Sequence, residues 1–316
     1  MIKLKRILAV VITCVLVLSL SACLPAKNTG AMSKQTLNIG AISSIDVVPI
    51  VIADEKGFFK KQGVNVNFQP FKSSKDRDAA FQAGNLDGII CDEIAICLYQ
   101  NADFNVKITG VTDGDFMLIA SPNSGIRSVN DIKDKSVAIS EKTAIEYTLD
   151  KILEKNLLNP TDIEKIMVPA IPTRLEMLRN NKVDAALLPE PFSTLAVKDG
   201  GILLGSASKL ASYPSVTAFM QKSIDEKSAE IKAFFRAYNE AVDYINSTPI
   251  SEYEAIVMST AGYPDDLKGQ IILPKFRKNI LPSQDEVKSA VDWTTSKGLL
   301  TKTLDPKELV NDIGIK

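Results

Sequence analysis

The sequence predicts an α/β fold built as two lobes, and three observations lead to it. Short apolar runs alternate with helix-like segments from residue 36 onward. That alternation breaks near residue 121 and restarts, and from Ser223 the chain turns mainly helical. Strands that alternate with helices form parallel sheets covered on both faces. The chain's 316 residues, 45% of them hydrophobic and 24% charged, suit an ordinary globular protein of one large or two smaller domains.

Taken in order, Thr36 to Ile42 reads as a strand, and Val47 to Lys61 as helix-like, closed at Gly63. Val64 to Phe68 alternates with period two, as a half-exposed strand does. Ser73 or Ser74 caps a helix that stops at Gly84-Asn85. Asp87 to Cys91 is the next strand, with Asp92 placed to cap the helix after it, and Val106 to Val111 with Phe116 to Ser121 completes a first sheet. The second round has strands at Ser136 to Ile139, Lys165 to Val168 and Asp184 to Leu188, separated by helices at Thr143 to Asn156 and Thr173 to Asn180. Helices at Ser223 to Asn246, Ser251 to Ala261 and Ser283 to Lys297 follow; no short-period repeat or low-complexity run interrupts them.

The first residues read as an address. Lys3, Lys5 and Arg6 precede an apolar run from Ile7 to Leu20. At about 1.5 Å per residue that run reaches about 21 Å, short of a bilayer core of about 30 Å, and fits the core of a signal peptide. It ends Leu20-Ser21-Ala22-Cys23, which resembles the lipobox of bacterial lipoproteins, in which the cysteine is acylated. Residues 1–22 are therefore expected to be a signal peptide, Cys23 the lipidation site and 23–35 a flexible tether. Loss of the three basic residues would move the net charge from −1 to −4. The expected location is the extracytoplasmic face of the cell membrane, held by lipid, with no nucleic-acid partner.

The chain contains no histidine. Ser-His-Asp, Cys-His and histidine-based zinc chemistry are excluded, and no catalytic residue, metal or cofactor is expected. Cys91 and Cys97 lie across a strand–helix junction, poorly placed for a disulfide, and read as buried free thiols.

Three stretches carry a resemblance. Ile39-Gly40-Ala41 with Ala53-Asp54-Glu55-Lys56-Gly57-Phe58-Phe59 through Gly63-Val64 is the first, Ser128 through Asp131-Ile132-Lys133-Asp134-Lys135 to Ala138 the second, and Val183-Asp184-Ala185 with Glu190-Pro191-Phe192 the third. Together they resemble the solute-binding proteins of ABC importers, in the nitrate, sulfonate, taurine and thiamine-precursor branch. The resemblance implies a two-lobe periplasmic-binding-protein-like (type II) fold with ligand in the interlobe cleft and closure by a hinge. Lobe one would comprise 36–121 plus 221–316, and lobe two 122–220. The implied partners are a small solute, an ABC permease with its ATPase, and the membrane through the anchor. A thiamine-pyrimidine synthase related to this family consumes its own histidine, which this chain lacks.

Ligands of open α/β sheets bind at strand C-termini and helix N-termini. Those positions give the candidate set Ser44, Asp46, Asp92, Asp115, Thr143, Glu146, Arg174, Glu190 and Phe192, with Phe116, Tyr147 or Tyr213 as further stacking faces. Around the expected cleft Asp46, Asp92, Glu93, Asp113, Asp115, Glu141, Glu146 and Glu190 stand against Lys142 and Arg174. That acidic balance favours a small nitrogenous solute resembling a thiamine pyrimidine precursor. The alternative is taurine, an alkanesulfonate or a related anion, for which Arg174 and Thr143 would be essential.

Overall fold

The computed structural model describes residues 35–210 and 213–316. The expected leader, Cys23 and all of the tether but Gln35 lie outside the described residues. Two five-stranded sheets organise the rest. The first contains β1 (Thr36–Ile42), β2 (Asn65–Phe71), β3 (Gly88–Asp92), β4 (Val106–Val111) and β10 (Ser215–Met220), in the order β2-β1-β3-β10-β4. The second contains β5 (Phe116–Ala120), β6 (Ser136–Ile139), β7 (Glu164–Met167), β8 (Ala185–Pro189) and β9 (Ile202–Ser206), in the order β7-β6-β8-β5-β9.

The two sheets have one topology. In each, four strands run in one direction and a fifth lies antiparallel between two of them: β10 between β3 and β4, and β5 between β8 and β9. This corrects two expectations. Phe116–Ala120 does not complete the first sheet but enters the second, and 215–220 returns to the first. Apolar period marks a strand without naming its partner, and an antiparallel guest strand breaks the all-parallel reading.

Eleven helices flank the sheets among the described residues: α1 (Val48–Glu55), α2 (Phe58–Lys61), α3 (Ser74–Gln82), α4 (Glu93–Asn101), α5 (Ala144–Lys155), α6 (Ile171–Arg179), α7 (Phe192–Lys198), α8 (Gln221–Glu226), α9 (Ser228–Ser247), α10 (Glu254–Ala261) and α11 (Gln284–Ser296). The helix expected over Val47 to Lys61 is broken at Gly57, whose φ of 73° lies in the left-handed region. Side chains of α1, α9 and α10 pack on one face of the first sheet, and those of α3, α4 and α11 on the other. The second sheet carries α5 on one face and α6 and α7 on the other. Caps set the helix starts: Ser73 accepts from Asp76 N, Asp92 from Ala95 N, Thr143 from Ile145 N and Ser283 from Glu286 N.

An internal structural repeat accompanies the shared topology. Shifting α3 and β3 by 97 positions superposes their bounds on those of α6 and β8. Asp87 N donates to Asn38 O at 2.8 Å, as Asp184 N donates to Ser136 O at 3.1 Å. Asn38 N returns a bond to the Asp87 carboxylate at 2.9 Å, as Ser136 N does to that of Asp184 at 2.9 Å. Each copy thus ties the start of its central strand to its neighbour through one aspartate.

A contact joins the two cores beside α5. The Trp293 ring of α11 meets Tyr147 of α5 edge-on at 5.7 Å, and its Nε1–H donates to Asp150 at 3.0 Å. Lys297 and Lys165 reach the same carboxylate at 2.7 and 2.8 Å.

Candidate functional site

Four helices begin around a cavity between the two sheets, at Ser74, at the Asp92 cap, at Thr143-Ala144 and at Ile171. The cavity measures about 60 Å³, small enough that side chains of both sheets stand close about its contents. Ile42, Ile90, Phe116, Ile145, Ile171 and Pro189 supply an apolar wall, while Asp46, Asp92, Arg77 and Arg174 supply the charge. A mostly apolar lining with a few convergent polar groups is the usual composition of a small-molecule site.

Each charged group has a distinct setting. Asp46 is buried at the start of the first sheet's helical layer. Its carboxylate accepts from the Ser44 hydroxyl and, at 3.1 Å, from the Ser215 hydroxyl of β10. Burial raises its pKa above the ordinary carboxylate value, against the lowering effect of those hydroxyls. Two bonds leave acceptor capacity on its oxygens for a ligand N–H. Asp92 accepts from Ala95 N at 2.8 Å as the cap of α4. Burial raises its pKa too, opposed by Arg77 and by the backbone N–H groups of Ala95 and, across the cavity, Ala144.

The two arginines are equally buried, at 3% and 1% exposure, but differently partnered. Arg77 gives Nε and Nη2 to Asp78 at 2.9 and 2.7 Å, and Nη1 to Ile90 O at 2.9 Å. Burial works to lower its pKa, yet Asp78 and the other anionic neighbours outweigh that and leave it raised. Arg174 gives Nε to Val168 O at 3.1 Å, Nη1 to Leu187 O at 2.7 Å and Nη2 to Pro169 O at 3.4 Å. Its three acceptors are all backbone carbonyls, and burial brings its pKa down to about 9.

Of the residues chosen from sequence, the fold brings Ser44, Asp46, Asp92, Thr143 and Arg174 to this cavity, with Phe116 and Tyr213 beside them, ring centroids 4.8 Å apart. Four others stand elsewhere. Asp115 accepts from Ser208 N and Oγ at 3.0 and 2.6 Å. Glu146 pairs with Lys165 at 2.8 Å and accepts from Lys142 N at 2.8 Å. Glu190 holds the start of α7 through Thr194 N and Oγ1. Phe192 lines a separate groove with Phe71 and Gly262. Tyr147 is buried against Trp293 and bonds Ser289.

The expected acidic surplus is corrected accordingly. Of the eight acidic groups only Asp46 and Asp92 line the cavity. Asp113 pairs with Arg277, Glu141 is exposed, and Glu93 is buried off the cavity with Oε2 unpartnered among the described residues. Arg77, Ser215 and Ser140 line the cavity as well, and Arg77 was missed because Ser73 to Ala83 reads as an ordinary polar helix. The signal that finds it is the 97-residue repeat, which sets Arg77 against Arg174. Cys91 lines the cavity; it and Cys97 are free and buried, and burial pushes the Cys91 thiol well above its ordinary pKa.

Comparison with known proteins places this architecture. The chain is 25% identical over 292 residues, 88% of its length and 85% of the relative's, to a protein of Bacillus subtilis (strain 168) named for binding aliphatic sulfonates. The fold superposes on the periplasmic aliphatic sulphonate binding protein of Escherichia coli with a TM-score of 0.73 at 19% identity, covering 88% of this chain and 92% of that one. It superposes on the periplasmic nitrate-binding protein of Synechocystis PCC 6803 with a TM-score of 0.70 at 17% identity, covering 88% and 86%. The model of the NMT1-like family matches residues 30–259, most of the chain, and the chain belongs to that family.

Proposed function

We propose that this chain is the extracytoplasmic solute-binding component of an ABC importer, anchored at Cys23, which captures a small polar solute between its sheets and presents it to a permease. The observation that carries the reading is the cavity itself. It is lined from both sheets, apolar for most of its wall, and holds one buried carboxylate and one buried guanidinium with bonding capacity to spare. The names of the relatives support the same role.

Two lobes would meet at the segments that follow Val111 and Ser206, where the chain leaves one sheet for the other. Lobes divided in this way would have boundaries one strand earlier than those expected at 121/122 and 220/221. Closure about those segments would bury the solute. Asp46 favours a ligand with N–H donors, the thiamine-precursor-like reading. Arg174 and the relatives' names favour a second reading, an aliphatic sulfonate.

The test is a thermal-shift and calorimetric panel of aminopyrimidines, taurine, ethanesulfonate and nitrate on the purified chain. A bound solute at a hundredfold excess over its Kd stabilises by about 2.7 kcal/mol. The reading expects stabilisation without turnover by at least one of these classes, loss of uptake of that solute when the gene is deleted, and its restoration by the wild-type chain. Uptake unchanged by deletion would refute the importer role.

A further inference from the structure

The two copies of the internal repeat differ in charge at the cavity. Arg77 and Arg174 are 97 positions apart, each in the first half of its helix, and each gives Nη1 to the carbonyl 13 residues later, Ile90 O at 2.9 Å or Leu187 O at 2.7 Å. The same shift sets Asp78 against Leu175 and Asp92 against Pro189. In the first copy both neighbouring positions are carboxylates: Asp78 chelates Arg77, and Asp92 stands in its field. In the second copy both are apolar, and among the described residues Arg174 makes no ion pair.

A buried guanidinium without a counter-charge is costly. Of its five N–H groups three meet carbonyls, leaving two for a ligand. The N-terminus of α5 is the other natural seat for an anion at this cavity, and the Asp92 carboxylate already faces the Ala144 N–H there. Asp46 stands at the same cavity with acceptor capacity free.

Resting on the importer reading, we infer that the solute is amphoteric: one singly charged oxyanion group is bound by Arg174, an N–H donor faces Asp46, and Asp78 and Asp92 close the equivalent first-copy position to a second oxyanion. Specificity for one acidic group is thus written in the difference between the repeats. A doubly charged oxyanion compound has no second cation to meet, and the carboxylates of the first copy repel it.

The experiment measures binding of methanesulfonate, taurine and ethane-1,2-disulfonate to the full chain by calorimetry. The wild type is expected to bind taurine most tightly and the disulfonate least. Arg174→Gln should weaken taurine by about tenfold or more, and by several-fold more than Arg77→Gln does. Asp78→Asn, which frees Arg77, should improve the disulfonate. Both arginine variants remove a carbonyl bond, so a second measurement keeps the wild-type chain: bromide soaked into crystals and located by anomalous scattering. Bromide at Arg174 supports the assignment; bromide at Arg77 or Ala144 overturns it. Equal losses in both arginine variants, or no taurine binding by the wild type, overturn it also. Either failure leaves the importer role to be judged by the uptake assay, which does not depend on ligand charge.

Discussion

The first copy of the repeat, residues 36–92, and the second, residues 136–189, share the order of their three strands and the bounds of their last helix and strand, and differ in side-chain charge. Strand, helix and strand recur, an aspartate ties the central strands in each, and an arginine pins the helix to the strand that follows. The groups that preserve the fold are therefore the ones that repeat. The groups that differ stand beside the arginines, where Asp78 corresponds to Leu175 and, at the cavity wall, Asp92 corresponds to Pro189. The repeated topology supplies two similar walls, and different side chains at a few positions make them chemically unequal.

The largest predicted effect concerns the contact that holds the two cores together. Asp150 is buried and serves Lys165, Lys297 and Trp293 at once. Asp150→Asn should destabilise the chain by about 2 kcal/mol, because it leaves the Lys165 and Lys297 ammonium groups to share the single carboxylate of Glu146. Urea unfolding followed by the emission of Trp293, the chain's single tryptophan, measures it. A loss under about 0.5 kcal/mol would show that the contact joins the cores without stabilising them.

The next effect separates the copies by pH. Glu93, at the start of α4, is buried; burial, with Glu286 and Asp92 nearby, raises its pKa to about 8 from the model-compound value of 4.5. A raised carboxyl holds its proton in the folded state while the unfolded state has released it. Stability should therefore fall as pH rises from about 4.5 to about 8 and level off above. Glu93→Gln should remove this slope, gaining at least about 1 kcal/mol at pH 8.5 and nothing at pH 4. Parallel stability curves for the two proteins would contradict it.

Smaller effects compare equivalent helix ends. Ser73 caps α3, while Ala170, the matching residue, offers α6 no side-chain cap. Ser73→Ala should cost about 1 kcal/mol and Ala170→Ser should gain a few tenths, read as shifts in Tm. At the other end Gly84 has φ 77° and its counterpart Asn181 φ 51°. Gly84→Ala should cost about 1 kcal/mol, since an L side chain is strained there, whereas Asn181→Gly should be within about 0.5 kcal/mol of neutral.

Much of this fold was legible in the sequence because its signals are local. Ser73, Asp92, Thr143 and Ser283 were readable as caps because short polar side chains before apolar periodic runs satisfy free N–H groups. Strands β3, β6 and β8 were readable from short apolar runs between turn residues. What failed was non-local. Nothing in Phe116–Ala120 says that it pairs with β8 and not with β4. Glu146 sits near the expected position in sequence, but Lys165, 19 residues on, claims it, and the two meet only after folding. Arg77 looked like one more charge on a polar helix until the spacing of the second copy gave it an equivalent.

Native mass spectrometry of the chain, purified without added solute from cells grown on rich medium, bears most directly on whether the cavity between the sheets is a solute site. The wild type is predicted to carry one small amphoteric molecule per chain, released by denaturation, and an Asp46→Asn/Arg174→Gln variant that remains folded by circular dichroism is predicted to carry none. The same adduct at the same occupancy in both proteins would contradict the account.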